Sequence, residues 1–498
     1  MGYAKVVSRK NKIKGTATEL LIRQVITQTN DYCCVAAGNL EIFREIKITN
    51  PEYAPPAASV THTSDCDVLV IGGGPAGSTA AALLAERGYR VTLLEKAHHP
   101  RFHIGESLLP ANLPLLEKLG VADAVKAIGV EKWGAEFVSP WHGHTQTFEF
   151  ADAMDKSMPM AYQVRRDEFD EILIRNASRK NAQVVEGCQV QDVNFLPDNA
   201  GALVRARLDD GGIKTVHARF VLDASGRDTF LGNHFKAKQR NKKHNSTALY
   251  AHFSGAERKL GKAAGNISIF WFEHGWFWFI PLAYGATSVG AVTWPYYLKT
   301  RNKKSLAQFF QETIALCAPL NERLQHAQLI SAVEATGNFS YACDHTHGSN
   351  YLLLGDAYTF IDPVFSSGVM LAMNSGFVGA DTVDTCLRHP QQAAIALKKF
   401  DHAMRIGPRE FSWFIYRVTN PTMRNMFMGP RNIFRVQEAL LSVLAGDVFG
   451  KTRIYRPLLI FKGLYYMASL FNLGRTLKAW QMRKHNIRVV DEAGAAVN

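Results

Sequence analysis

The triplet Gly72-x-Gly74-x-x-Gly77 follows an apolar, β-branched run at 67–71 and opens an alanine-rich segment at 78–87. A second apolar run at 90–94 closes on Glu95. The order is strand, glycine turn, helix, strand, acid. Gly72 permits the tight turn, Gly74 lets backbone approach a pyrophosphate, and Gly77 lets helix and strand pack closely. Pro75 and Ala76 join the cofactor-binding residues, and the helix N-terminus faces the phosphates with unpaired N–H groups and a positive dipole end. Glu95 is placed to accept from ribose hydroxyls. The pattern predicts a dinucleotide site.

Further candidates are scattered along the chain. Asp223-Ala224-Ser225-Gly226 ends an apolar strand in an acid and a glycine, which suits a second approach to the nucleotide. Gly355-Asp356 follows the buried-looking run 351–354, and Asp356 can reach a ribityl or ribose hydroxyl. Ser366-Ser367-Gly368 precedes a helix starting near Met370; it reads either as an anion nest or as a simple N-cap. Lys132 lies between a helix end and a strand, where a surface lysine is the ordinary case. Gly275-Trp276-Phe277-Trp278-Phe279-Ile280-Pro281 is a half-buried aromatic strand, which excludes water and can guide a small reactive species, although packing alone also explains it. His98, His99 and His103 have no companion acids at ligand spacing, so they read as solvated loop histidines and no metal is expected.

The elements that must position these residues follow from composition and period. At 498 residues and 47% hydrophobic, the chain can bury a large core in two or three lobes. Seven scattered cysteines without a CxxC pair suggest reduced thiols, and the basic first fifteen residues lack the apolar core of a signal peptide, so a cytoplasmic protein is expected. A net charge of +13 points to anions, phosphorylated carriers or acidic lipid, while the dispersed basic residues and the lack of a binding motif argue against nucleic acid. Helices are expected over 112–119, 121–128 and from Tyr162 to Arg179. Strands are expected over 183–195, 202–208 and 218–222. The fold class is α/β. Residues 1–64 form an arm, 65–240 and 341–385 a discontinuous nucleotide domain, 241–340 an antiparallel β lobe, and 386–498 a helical region. Apolar runs within 455–473 are too short to cross a bilayer. A core or lid helix fits them, as does an interfacial membrane contact.

The glycine triplet with Glu95, Asp223-Ala224-Ser225-Gly226 and Gly355-Asp356 resembles the flavoprotein monooxygenase superfamily, which carries FAD. Phe102-His103-Ile104-Gly105-Glu106-Ser107-Leu108-Leu109-Pro110 and Trp276-x-Trp278-x-Ile280-Pro281 narrow the resemblance to flavin-dependent halogenases, the tryptophan halogenase family. It spans about 65–380. It implies a Rossmann-like FAD domain with an inserted antiparallel sheet, Glu106, Ser107 and Arg166 joining the cofactor-binding residues, and a separate flavin reductase. It further implies that reduced flavin and O2 oxidise chloride or bromide to hypohalous acid, which crosses a tunnel lined by Trp276 and Trp278. Lys132 falls where the family's catalytic lysine lies, and Ser367 and Gly368 match its halide-holding turn. The indole-halogenating branch has a glutamate where this chain has Phe365, which favours phenols or pyrroles, often tethered to a carrier protein. A basic surface suits an acidic carrier, and an amphipathic tail suits a lipid-like product such as an aryl polyene. A flavin hydroxylase, a polyprenyl double-bond reductase and a non-catalytic flavin-binding partner are the alternatives.

Overall fold

The computed structural model describes residues 61–241, 244–337, 340–450 and 452–494. The expected N-terminal arm therefore lies outside the described residues as far as residue 60, and residues 61–64 already belong to the first strand.

That strand, Thr61–Ile71, is central in a seven-stranded sheet. Val91–Leu94 pairs with it on one side and Ile213–Asp223 on the other, both parallel, and Gln183–Val185 extends the sheet beyond Val91–Leu94. The strand Ile213–Asp223 has two partners along its length. Its first half pairs antiparallel with Ala202–Leu208, and its last three residues pair parallel with Tyr351–Leu353. In register, Ile71 is level with both Leu94 and Asp223, and Asp223 is level with Leu353. Four parallel strands thus finish on one line. The residues that follow them, Gly72, Glu95, Ala224 and Leu354, leave the sheet along a single carboxyl edge, where open α/β sheets bind ligands.

The helix Pro75–Glu86 is buried along most of its length and packs on Gly368–Arg388. Small residues make that approach possible: a Cβ at Gly376 would stand 2.8 Å from the Ala76 carbonyl oxygen. The expected strand 183–195 is divided. Gly187 turns with φ +62°, and Cys188–Phe195 pairs with Ala202–Leu208 at the other end of the sheet.

The second sheet has eight strands and departs from the expected 241–340 lobe. Its strands Thr247–Ser254, Ile267–Phe272, Gly275–Pro281 and Ala286–Thr293 are antiparallel neighbours as expected. It also takes in Gly134–Ser139 and His144–Glu149, from the stretch assigned to the nucleotide domain, through a parallel junction with Ile267–Phe272. Ile267–Phe272 is buried on every residue and needs a partner along both edges, a demand that strand periodicity does not reveal. Side chains alternate across this sheet. Phe270, Phe272, Phe277 and Phe279 face helices Leu306–Ala315 and Ala318–Arg323, whereas Trp271, Trp276, Trp278 and Ile280 face the C-terminal helices and Phe365. Beyond residue 386 the described chain is helical, with Ala393–Ile415, Pro421–Met428, Val436–Ala445, Tyr455–Phe471 and Leu473–Gly494.

Candidate functional site

A cavity of about 910 Å³ lies between the carboxyl edge of the first sheet and the tryptophan face of the second. Gly72, Gly74, Pro75, Ala76 and Glu95 line one part of it, and Trp276, Trp278 and Ile280 another. Gly72 has φ +99°, and a Cβ there would meet the Ala224 oxygen at 2.5 Å. One at Gly77 would overlap the Gly72 oxygen. Gly74 differs, since a Cβ would approach nothing closer than Arg101 at 3.9 Å. The space over Gly74 is open, as a phosphate cradle requires. Glu95 is held at the cavity by the N–H groups of Gly73 (2.6 Å) and Ala97 (2.9 Å), which leave carboxylate lone pairs for hydroxyl donors. This arrangement fits FAD.

Three expected cofactor contacts are built differently. Asp223 is fully buried and does not line the cavity. Its carboxylate accepts from the N–H groups of Ser225 and Leu231 at 2.9 and 2.7 Å, so it shapes the turn that brings Ser225 and Gly226 to the wall. Arg166 reaches the wall, but its guanidinium clasps Asp170 at 2.8 and 3.0 Å and donates to the carbonyls of Ile104 and Gly105. It pins the 102–110 loop. Gly355 stands behind the wall with φ +52°, its N–H donated to Ser375 Oγ. Asp356 does line the cavity, and burial pushes its carboxyl up to about 6 against the pull of Arg166 and Arg227.

The 102–110 loop carries Glu106 and Ser107 to the wall. Glu106 Oε1 lies 2.7 Å from His252 Nε2, while its Oε2 is buried without a partner. Behind Ser107 stands Lys132. It is not the surface lysine of the ordinary reading: it is 1% exposed, at the end of the short strand Val130–Lys132. Its Nζ donates to Ser107 Oγ and to the Leu108 carbonyl, each at 2.9 Å, and sits 5.2 Å from the centre of the Phe150 ring. Burial with no carboxylate beside it draws this amine down to about 7.

Nor are the loop histidines all solvated. His98 is exposed beside Asp209, but the His99 ring is buried against Glu186, and burial draws His103 down to about 4. Among the described residues, no three His, Cys, Asp or Glu side chains converge as metal ligands do.

A family model for the FAD binding domain matches residues 65–381. A pyrrole-2-carbonyl-[peptidyl-carrier protein] chlorinase of Pseudomonas fluorescens is 30% identical over 416 residues, covering 78% of this chain and 91% of that protein. The chain belongs to the flavin-dependent halogenases. A tryptophan 2-halogenase of Chondromyces crocatus is 34% identical over 65% of this chain and 62% of its own length. Among solved structures, a flavoprotein/dehydrogenase of Cytophaga hutchinsonii superposes with a TM-score of 0.74 at 28% identity, over 82% of this chain and all of that one.

In this halogenase the Trp276 and Trp278 rings lie 6.1 Å apart, and Trp278 Nε1 donates to Ser288 Oγ at 3.1 Å. The Trp278 indole lies across Gly290, where any side chain would overlap it. Ser366 takes φ +55° and Ser367 precedes the helix Gly368–Arg388 without a side-chain capping bond, so the N-cap reading is not realised. Ser366, Ser367 and Gly368 line the cavity at the unpaired N–H end of a 21-residue helix. Phe365 is buried against Phe414 and Phe427, with ring centres 6.1 and 6.4 Å away.

Sequence reasoning missed the supports of this turn. Asp362 accepts from His244 Nε2 at 2.9 Å, Ser246 Oγ at 3.0 Å and the Val364 N–H at 3.2 Å. It missed the pairing of Glu106 with His252 as well. Both pairs join residues more than a hundred positions apart, and spacing carries no signal at that range.

Proposed function

We propose that this halogenase transfers a halogen from chloride or bromide to an electron-rich ring of phenol or pyrrole type carried on an acyl or peptidyl carrier protein, with FAD reduced by a separate flavin reductase. The observation that carries the reading is the Lys132 amine, buried, drawn down to about 7 and one hydroxyl from the cavity wall. The pyrrole chlorinase relative and the +13 charge support a carrier-bound substrate, and Phe365 disfavours an amino-acid substrate that needs a polar anchor at that position.

Bound reduced FAD supplies two electrons and halide two more for the reduction of O2 to water, leaving hypohalous acid. The first-turn N–H groups after Ser367 hold halide. Trp276, Trp278 and Ile280 exclude water from the path between the two ends of the cavity. With the amine drawn down to about 7 by burial, its neutral form is accessible near neutral pH. Neutral Nζ attacks the halogen, the O–X bond breaks, and the amine's lost proton leaves with hydroxide as water. The ring then takes the halogen and the proton it releases returns to Nζ, restoring the amine. The charged form of Lys132 instead polarises hypohalous acid by donating to its oxygen.

The test is halogenation of a phenol and of a carrier-bound pyrrole by protein, FAD, flavin reductase and bromide or chloride, with peroxide scavenged. Product lost in Lys132→Ala, with flavin reoxidation unchanged, supports the reading. Hydroxylated product, or turnover indifferent to halide, overturns it in favour of a hydroxylase.

A further inference from the structure

The helix Tyr455–Phe471 is apolar on two opposite faces. Ile454, Leu458, Phe461 and Tyr465 are buried against the body of the protein. On the opposite side, helical spacing aligns Leu459, Ile460, Leu464, Met467, Leu470 and Phe471, all exposed, with Leu470 at 69% and Phe471 at 87%. From Leu459 to Phe471, at about 1.5 Å per residue, the apolar ridge is about 18 Å long. The next helix, Leu473–Gly494, continues it with exposed Leu473, Leu477 and Trp480. An exposed apolar surface of this extent marks an interaction site.

Its electrostatic setting narrows the partner. Between Val448 and Val490 the sequence has nine Lys or Arg and no Asp or Glu. Where the two helices join, a small cavity of about 240 Å³ is lined by Trp141, His142, Arg424, Asn425, Asn472 and Arg475, with no acid in its wall. Arg424 stacks on Trp141 with its guanidinium carbon 3.8 Å from the ring centre. Among the described residues no carboxylate or carbonyl accepts from the Arg424 or Arg475 side chains. A half-buried guanidinium without a counter-charge, open to a polar cavity, is suited to a phosphate. Asn472 follows Phe471 directly and Arg475 comes three residues later, beyond exposed Leu473, so cationic cavity and apolar ridge adjoin.

We propose that this helix pair docks the protein on an anionic phospholipid surface, with the ridge entering the acyl boundary and the Arg424–Arg475 cavity taking a headgroup phosphate. Trp480, half exposed with Lys484 Nζ 3.7 Å from its ring centre, stands at the headgroup level. The contact is peripheral, because no helix among the described residues is long and apolar enough to cross a membrane. A carrier protein fits this face less well. It must present its substrate at the mouth of the large cavity, and no residue beyond Ala372 lines that cavity. The inference is independent of the halogenation chemistry.

The test uses the full chain and two vesicle types, pure phosphatidylcholine and a mixture with about a third phosphatidylglycerol. Sedimentation with anionic vesicles at least about tenfold tighter than with neutral ones, weakening as salt rises, is expected from two or more cations at the surface. Leu470→Asp with Phe471→Asp removes most binding, Arg475→Gln narrows the anionic preference about fivefold, and Trp480 emission shifts to the blue on binding. Bound flavin per mole of protein and the melting temperature stay unchanged in these variants, which shows that they fold. Absent binding or equal binding to both vesicles overturns the proposal. So does phosphate occupying the cavity while vesicles are ignored, or the ridge substitutions abolishing a dimer or a carrier complex and leaving vesicle binding intact.

Discussion

Lys132 Nζ donates to Ser107 Oγ at 2.9 Å, and Ser107 belongs to the cavity wall while Lys132 does not. A single hydroxyl separates the buried amine from the space that fits FAD. The loop bearing Ser107 is held by Arg166, which is held by Asp170. The amine's setting therefore depends on contacts from the nucleotide domain as well as on the pairing of its own strand with Ala161–Gln163.

The amine's titration gives a signed expectation for stability. Its folded pKa is about 7 against 10.5 for a free lysine, so the unfolded chain binds more protons between those values. Lys132→Met should raise unfolding stability by roughly 1–4 kcal/mol below pH 7, with the gain shrinking to nothing as pH approaches 10.5. Denaturant titrations at pH 6.5 and pH 10 check this. A lysine that keeps its ordinary titration in the fold would show the same difference at both.

Glu106 and His252 predict the opposite slope. Burial alone would lower the histidine, but the Glu106 hydrogen bond and charge outweigh it and hold the ring above its ordinary value. The stabilisation is complete below pH 6.5 and fades as pH rises through the raised folded value. Glu106→Gln should therefore destabilise by about 1–3 kcal/mol near pH 5.5 and by less at pH 8.5. Equal losses at the two pH values would remove the pair from this account.

Gly74 and Gly77 separate cofactor binding from folding. Gly74→Val should leave the melting temperature within a few degrees and lower bound flavin about tenfold, since its side chain enters open space meant for phosphates. Gly77→Val should instead unfold the domain, because its side chain meets the Gly72 backbone and Val70. Flavin absorbance per mole of protein and thermal unfolding distinguish the two.

Phe365→Glu restores the residue type of the indole branch but not its surroundings. The carboxylate would be buried between Phe414 and Phe427, at a cost of about 3 kcal/mol or more. Loss of stability without any gain of tryptophan halogenation is the expected result, read from denaturation and product chromatography. Efficient tryptophan turnover by this variant would show that the C-terminal helices yield there.

The turn at Gly72, Gly74 and Gly77 and the acid at Glu95 were legible because they meet local demands: a positive φ, a close helix contact, and a strand end next to a helix start. The two tryptophans were legible for a similar reason, since strand alternation places both on one face. The tertiary structure alone decided the depth of Lys132, because its burial comes from Leu108 and Phe150, which short-range periodicity does not connect. It also decided that Asp223 and Arg166 hold backbone and loop while Glu95 and Asp356 face the cavity. An acid at a strand end states only that a carboxylate is available. Which donor takes it depends on how the neighbouring segments cross, and that is a property of packing between residues distant in the chain.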